Sequence, residues 1–246
     1  DATLQDLPDR PRFVINATNV QSGALWRFSK PYAGDWMVGR VHDPEIALAR
    51  AVAASSAFPP VLSPFTLELD PDGFDDDGAV LTDRDYRKEV VLTDGGVYDN
   101  LGIETAWKSH ANVLVSDGGG KLQPEREPDG DWARHSLRVN GLINNQVRNL
   151  RKRQVISSFE VGVKGGAYWG IRTDIADYDL ADALPAPFGE TIELAKTATR
   201  LRALDDRHQE RLINWGYAVT DAAMRRHVDP ALPPPAGFPY PGPGVG

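Results

Sequence analysis

The feature that most constrains this chain is a short apolar strand signal that runs directly into a carboxylate and two glycines. Glu89-Val90-Val91-Leu92-Thr93 is rich in β-branched and apolar residues, and Asp94-Gly95-Gly96 follows without a linker. Such a run reads as a buried strand, and the Gly-Gly pair marks where it must end. Asn112-Val113-Leu114-Val115-Ser116 repeats the pattern and stops at Asp117-Gly118-Gly119-Gly120. A helix is predicted between them, over about residues 101–110. Strand, loop, helix, strand at this spacing predicts a βαβ unit with parallel strands and a right-handed crossover. The fold class that follows is α/β.

The remaining elements fit the same class. Residues 13–17 read as a strand, and Ala24-Leu25-Trp26-Arg27-Phe28 as a second one pairing nearby. Asp43-Pro44-Glu45 has the order of a helix start: a capping carboxylate, proline at the first helical position and an acid in the first turn. Ile46, Ala49 and Ala53 would then share one face, and Pro59-Pro60 would end the helix. Residues 68–88, with Asp70, Asp72, Asp75, Asp76 and Asp77, read as an acidic surface excursion. Apolar residues recur at helical spacing over 135–158, and 159–171 reads as a strand pair around a Gly165-Gly166 turn. At least two helices are predicted over 189–227. From Pro230 onward the Pro/Gly-rich composition predicts an extended or disordered tail.

Composition closes off several functions. The 246 residues suit one large domain or two small ones. With 27 basic and 35 acidic residues the formal charge is −8, which disfavours a nucleic-acid partner held by phosphate neutralisation. There is no cysteine, so disulfides, thiolate metal sites and cysteine nucleophiles are excluded. No apolar run approaches the roughly 18–20 residues that a membrane-spanning helix needs.

Asp94 is the residue on which chemistry converges. A carboxylate at the carboxyl end of a buried strand sits where open α/β sheets place their sites. A general base needs that fixed position close to the proton it removes. Two glycines after it allow a sharp turn and leave room for a second group to approach. The bland alternative is an aspartate that caps the next helix. Weaker signals carry bland alternatives as well. The acidic stretch 70–78 could offer oxygen ligands to calcium but lacks EF-hand spacing, so a solvated loop is preferred. Asp117-Gly118-Gly119-Gly120-Lys121 could cradle phosphate but lacks Walker spacing, so a tight left-handed turn is preferred. Arg148, Arg151, Lys152 and Arg153 are weighed as a peripheral membrane contact to anionic headgroups against a solvated helix face. The five histidines show no metal-ligand spacing. Trp26, Trp36 and Trp169 read as core or interface residues, with Trp36 beside Met37 a candidate for lining an acyl pocket.

Several of these segments together resemble the patatin-like family of lipid acyl hydrolases. Ala49-Arg50-Ala51-Val52-Ala53-Ala54-Ser55-Ser56-Ala57-Phe58-Pro59-Pro60-Val61 is similar to the family's small-residue helix and the Ala-Ser-X-Ala-X-Pro turn after it. Thr93-Asp94-Gly95-Gly96 with Asn100 is similar to its Asp-Gly-Gly segment, and residues 13–22 to the strand and Asn-Ala-Thr segment that comes earlier. Leu212-Ile213-Asn214-Trp215-Gly216-Tyr217 with Asp221-Ala222-Ala223 resembles the closing helix. The resemblance implies a three-layer α/β/α sandwich, incomplete in this chain, with carboxyl-terminal helices. Residues 1–229 would be the carboxyl-terminal part of a catalytic domain and 230–246 a Pro/Gly-rich tail. It further implies a serine–aspartate dyad that hydrolyses a carboxylic ester in a lipid, with Asp94 as the base, Gly95 and Gly96 shaping the site, and no cofactor or metal.

One half of that dyad has no counterpart in these residues. No Gly-X-Ser-X-Gly occurs in the sequence, and Ser116, the best partial match, has Leu114 where the first glycine belongs. The family's glycine-rich oxyanion segment has no counterpart either. Asp1, not methionine, stands first, and the expectation is that the serine lies upstream or on a partner polypeptide. The alternative is a catalytically inactive relative that serves as a binding or scaffold protein.

Overall fold

In the computed structural model, which describes residues 2–198 and 202–246, the chain divides into two compact units, one ending at Thr105 and one beginning at Ala106. The architecture is mixed α/β, as the sequence predicts. The pairing of the strands is not what it predicts.

The first unit runs β1 (Val14–Asn19), β2 (Leu25–Ser29), β3 (Tyr32–Asp35), β4 (Gly39–His42), α1 (Leu48–Ser55), β5 (Phe65–Glu68), β6 (Phe74–Asp75), α2 (Arg84–Lys88), β7 (Glu89–Asp94) and α3 (Gly95–Asp99). Its seven strands form one sheet in the order β5-β7-β1-β2-β3-β4-β6, and every neighbouring pair is antiparallel. β1 and β2 form the hairpin expected from the alternation of residues 24–28, with Ala17 opposite Trp26. Alternate residues of a strand face opposite sides of the sheet. Ala17 accordingly joins the core that Ala51 and Ala54 of α1 complete, together with Trp26, Phe28, Val90 and Leu92. Thr18, its neighbour, bonds α3 on the other side. This unit thus has helices on both faces of its sheet.

Four expectations are corrected here. The helix predicted from Asp43-Pro44-Glu45 begins only at Leu48, because residues 46–48 first pair with the amino-terminal segment. Leu4 N–H donates to Ile46 C=O and Leu48 N–H to Ala2 C=O, each at 2.9 Å, which uses groups a first helical turn would need. The buried face is therefore Ala51 and Ala54, and Ala49 and Ala53 are exposed. The acidic excursion is partly structural. Phe74 is buried in the core, β6 extends the sheet, and Arg87 reaches Asp76 at 2.5 Å. β7 has β1 on one side and β5 on the other, so the second apolar strand has no place beside it. The helix between them is broken: α3 is followed by Gly102 at φ +65° and then by α4 (Glu104–Trp107).

The second unit contains β8 (Asn112–Asp117), α5 (Trp132–Glu160), β9 (Gly165–Gly170), α6 (Phe188–Leu194) and α7 (Asp206–His227). β8 and β9 pair in parallel, so the βαβ unit exists but is built through α5, one strand later than expected. The anticipated strand pair at 159–171 is instead the end of α5 and the single strand β9. Gly166 is required there, since a Cβ would lie 1.9 Å from Val113 O across the pair. Trp215, Ala218, Ala222 and Ala223 of α7 pack with Ala167 and Trp169 of β9, and Trp215 Nε1–H donates to Ile171 C=O at 3.0 Å. The Pro/Gly-rich end does not extend into solvent as expected. Asn214 Nδ2 donates to Tyr240 C=O (2.7 Å) and Gly244 C=O (2.6 Å), and Val245 is buried against the same helix. Among the described residues, no helix is long and apolar enough to cross a membrane.

Two phenols of this unit set a pH limit on it. Burial raises Tyr178 to about 12, with Asp177 adding to the shift. Burial also raises Tyr168, and donation of its hydroxyl to Asp117 Oδ2 at 2.6 Å adds to it. Both folded-state values lie above the unfolded phenol value of about 10. The folded chain keeps protons that the unfolded chain releases, so stability is full below about pH 10 and falls as pH rises further. Urea midpoints are expected to decline from pH 9.5 to 11, and to decline less in Tyr178→Phe.

Candidate active site

β7 carries the carboxylate that the sequence singles out. Val90 and Leu92 point into the core, and Asp94 comes next in the same alternation at the strand's exit. The exit is held by its neighbours. Asp94 N–H donates to Ala57 C=O at 3.0 Å, and Thr93 Oγ1 donates to the same carbonyl at 2.9 Å. Thr18 Oγ1 donates to Asp94 C=O at 2.8 Å and accepts from Tyr98 N–H at 3.1 Å. The turn after α1, the central strand β1 and helix α3 therefore all converge on one residue.

The side chain is held by one oxygen. Asp94 Oδ1 accepts from Gly96 N–H at 2.7 Å, the cap of α3. Among the described residues Oδ2 has no donor and Asp94 has no ion-pair partner, and the residue is half-buried. The capping alternative thus uses one carboxylate oxygen and leaves the other. A single anchored oxygen fixes the group in space while the other stays open to a proton donor.

Each of the two glycines leaves out a side chain for which there is little room. Neither has a positive φ, so neither is needed for a left-handed turn. Gly95 is buried, and a Cβ on it would lie 2.4 Å from Asn16 O of β1. Its missing side chain lets α3 start directly against the neighbouring strand. A Cβ on Gly96 would meet Asp94 Oδ1 at 2.9 Å and Asn100 Oδ1 at 3.4 Å, so this glycine clears the space around the carboxylate.

Asn16 continues the arrangement, accepting on Oδ1 from Thr105 Oγ1 at 3.1 Å, while Arg27 Nε donates to the same hydroxyl at 3.2 Å. Asp99, buried, accepts from Glu104 N–H at 2.7 Å and starts α4. Sequence reasoning assigned no role to Thr18, Asn16 or Asp99. Their polar side chains on otherwise apolar elements were the available signal, but their partners lie up to 89 residues away in the chain.

The weaker candidates resolve into structure. Asp72, Asp75 and Asp76 are engaged by Arg84, His42 and Arg87, and among the described residues no cluster of three or more metal-type ligands forms. Asp117 Oδ1 accepts from Gly119 N–H at 2.8 Å, and Gly118, Gly119 and Gly120 have no positive φ, against the left-handed turn expected. Arg148 holds this loop through Gly120 C=O at 2.8 Å and lies 3.7 Å from Asp117, while Lys152 stands over the Tyr168 ring at 4.8 Å. Arg153 Nε donates to Asn149 C=O of the same helix at 3.3 Å, so these basic side chains are used by the unit itself. Ser116 is exposed on β8. Trp26 and Trp169 are buried, and Trp36 is exposed at the β3–β4 turn. A cavity of about 270 Å³ is lined by Gln5, Leu7, Arg12, Phe13 and Lys30 among others, and includes none of Asp94, Gly95 and Gly96.

Residues 1–107 match the family model described as patatin-like phospholipase. The part of the chain that holds β1, α1, β7 and Asp94 is therefore similar to a lipid hydrolase family. No curated protein and no solved structure matches the chain.

The close approach of α3 to β1 makes a direct prediction. Gly95→Ala must displace Asn16 or the first turn of α3, and overpacking of this kind costs about 1–3 kcal/mol. Urea denaturation is expected to show that loss, with Asn16→Ala failing to relieve it because the clash is with a backbone carbonyl.

Proposed function

We propose that this chain supplies the general base of a serine–aspartate hydrolase that cleaves a carboxylic ester in a lipid. The observation that carries the reading is the Asp94 carboxylate, with Oδ1 fixed by Gly96 N–H and Oδ2 open at the end of a pinned strand. The match of this stretch to the patatin-like phospholipase model supports the substrate class. Since the sequence holds no Gly-X-Ser-X-Gly, the hydroxyl comes from polypeptide outside these 246 residues.

The chemistry then follows from the open oxygen. Asp94 Oδ2 takes the proton of the serine hydroxyl as the serine oxygen bonds to the ester carbonyl carbon. The tetrahedral species collapses, the alcohol leaves with the proton held by Asp94, and an acyl-serine remains. Water attacks that ester in turn, giving its proton to Asp94, and the carboxylic acid departs as the serine recovers its hydrogen. Such base assistance is typically worth about 10²–10⁴ in rate. No metal or organic cofactor enters this scheme.

The absence of the nucleophile motif favours a second reading, a relative that keeps the fold and binds without turnover. Ester hydrolysis by this chain combined with the serine-bearing polypeptide separates the two. Asp94→Asn, which keeps the Gly96 contact, is expected to lower kcat by at least about 100-fold. Undiminished turnover in that variant would remove Asp94 from the mechanism, and no turnover with any added polypeptide would favour the binding protein.

A further inference from the structure

The turn that follows α1 carries a second property beside Asp94. From Ala51 to Leu67 the sequence has no Asp, Glu, Lys, Arg or His, although charged residues are 25% of the chain. Its tip is Phe58-Pro59-Pro60-Val61-Leu62, and the large side chains there face solvent: Phe58 is 59% exposed, Val61 86% and Leu62 46%. The tip is an ordered turn. Phe58 N–H donates to Ser56 C=O at 2.8 Å, and Leu62 N–H closes onto Phe58 C=O at 3.1 Å. It is also tied to the candidate site, because Ala57, the residue before Phe58, accepts from both Asp94 N–H and Thr93 Oγ1. Val97 of α3, three residues after Asp94, is 54% exposed as well.

We propose that this tip inserts into the surface of a neutral or zwitterionic lipid assembly and so sets the end of β7 at that surface. The inference rests on the lipid-ester reading of Asp94, and it names the physical form in which the substrate is met. Adjacent exposed apolar side chains mark contact sites. A five-residue turn is far smaller than the roughly 1,000 Å² that a specific protein interface buries. It suits an interface that accepts a few side chains at shallow depth. No charge in the segment has to be stripped of water on insertion. The formal charge of −8 selects among surfaces, since an anionic bilayer repels the chain and a zwitterionic one does not. The turn's own hydrogen bonds hold it in place, so little ordering is left to oppose insertion.

Co-sedimentation of the full chain with phosphatidylcholine vesicles tests this without any turnover. The wild-type chain is expected to partition to the vesicles, and added phosphatidylglycerol is expected to weaken binding at low salt. Val61→Asp and Phe58→Ser should each lower the partition coefficient about tenfold or more, as loss of a buried apolar side chain requires. The chain has no cysteine, so Val61→Cys carrying an environment-sensitive dye reads insertion at one position even where a charged variant folds poorly. A blue shift with vesicles is expected. Failure of the wild-type chain to sediment, partitioning that Val61→Asp leaves unchanged, or an unshifted dye would each overturn the proposal. So would a wild-type chain that ignores vesicles but loses the serine-bearing polypeptide on Val61→Asp, which would make the tip a protein interface. Vesicle binding that fails beside Asp94-dependent cleavage of a soluble short-chain ester removes the tip alone. Binding that persists while Asp94→Asn leaves hydrolysis untouched removes the hydrolase reading alone.

Discussion

The carbonyl of Ala57 receives two hydrogen bonds from β7, one from the backbone of Asp94 and one from the hydroxyl of Thr93. That contact joins the end of α1 to the end of the strand, and the site depends on it. Thr18 of the neighbouring strand β1 completes the hold by donating to the Asp94 carbonyl. Each net hydrogen bond of this kind contributes about 0.5–1.5 kcal/mol, and their larger effect is geometric. With the strand end fixed by these three hydrogen bonds, a single bond from Gly96 orients the carboxylate. The second oxygen accepts from no donor among the described residues.

Energetically the strand is secured further back. Val90 and Leu92 are fully buried against α1 and the aromatic pair Trp26 and Phe28, and each such side chain contributes about 1.5–3 kcal/mol. The small residues Ala51 and Ala54 allow α1 to lie close to the sheet, and that closeness brings its carboxyl end to Asp94. The second unit has a separate core built on β9 and α7. Within it Arg225, buried, pairs with Asp182 at 2.6 Å and Asp221 at 2.9 Å.

Much of the local order was legible in the sequence. The strand into Asp94, the β1–β2 pairing, the long helix around 135–158 and the closing helix all follow from periodicity of two or near four. What was not legible is which strands become neighbours. Apolar runs such as Val90 to Leu92 are equally compatible with parallel and antiparallel surroundings, and only the occupancy of both edges of β7 by β1 and β5 decides it. The role of Gly95 was hidden for a similar reason. A glycine that admits a turn and one that admits a neighbouring strand look alike in one dimension. The start of α1 was misplaced because the amino-terminal segment competes for the backbone groups of residues 46–48. The tail defied its composition because Asn214, a polar residue on an apolar helix face, supplies the donors that hold it.

A proton leaving a hydroxyl for the open oxygen of one anchored side chain is the central physical claim, and covalent trapping reads it most directly. The chain is mixed with the serine-bearing polypeptide and a fluorophosphonate probe, and the labelling rate of the serine is followed by mass spectrometry with wild-type and Asp94→Asn chains. Rapid labelling that needs this chain and slows by about two orders of magnitude in the variant is the predicted result. Equal labelling rates with the two chains, or labelling indifferent to whether this chain is present, would contradict the account.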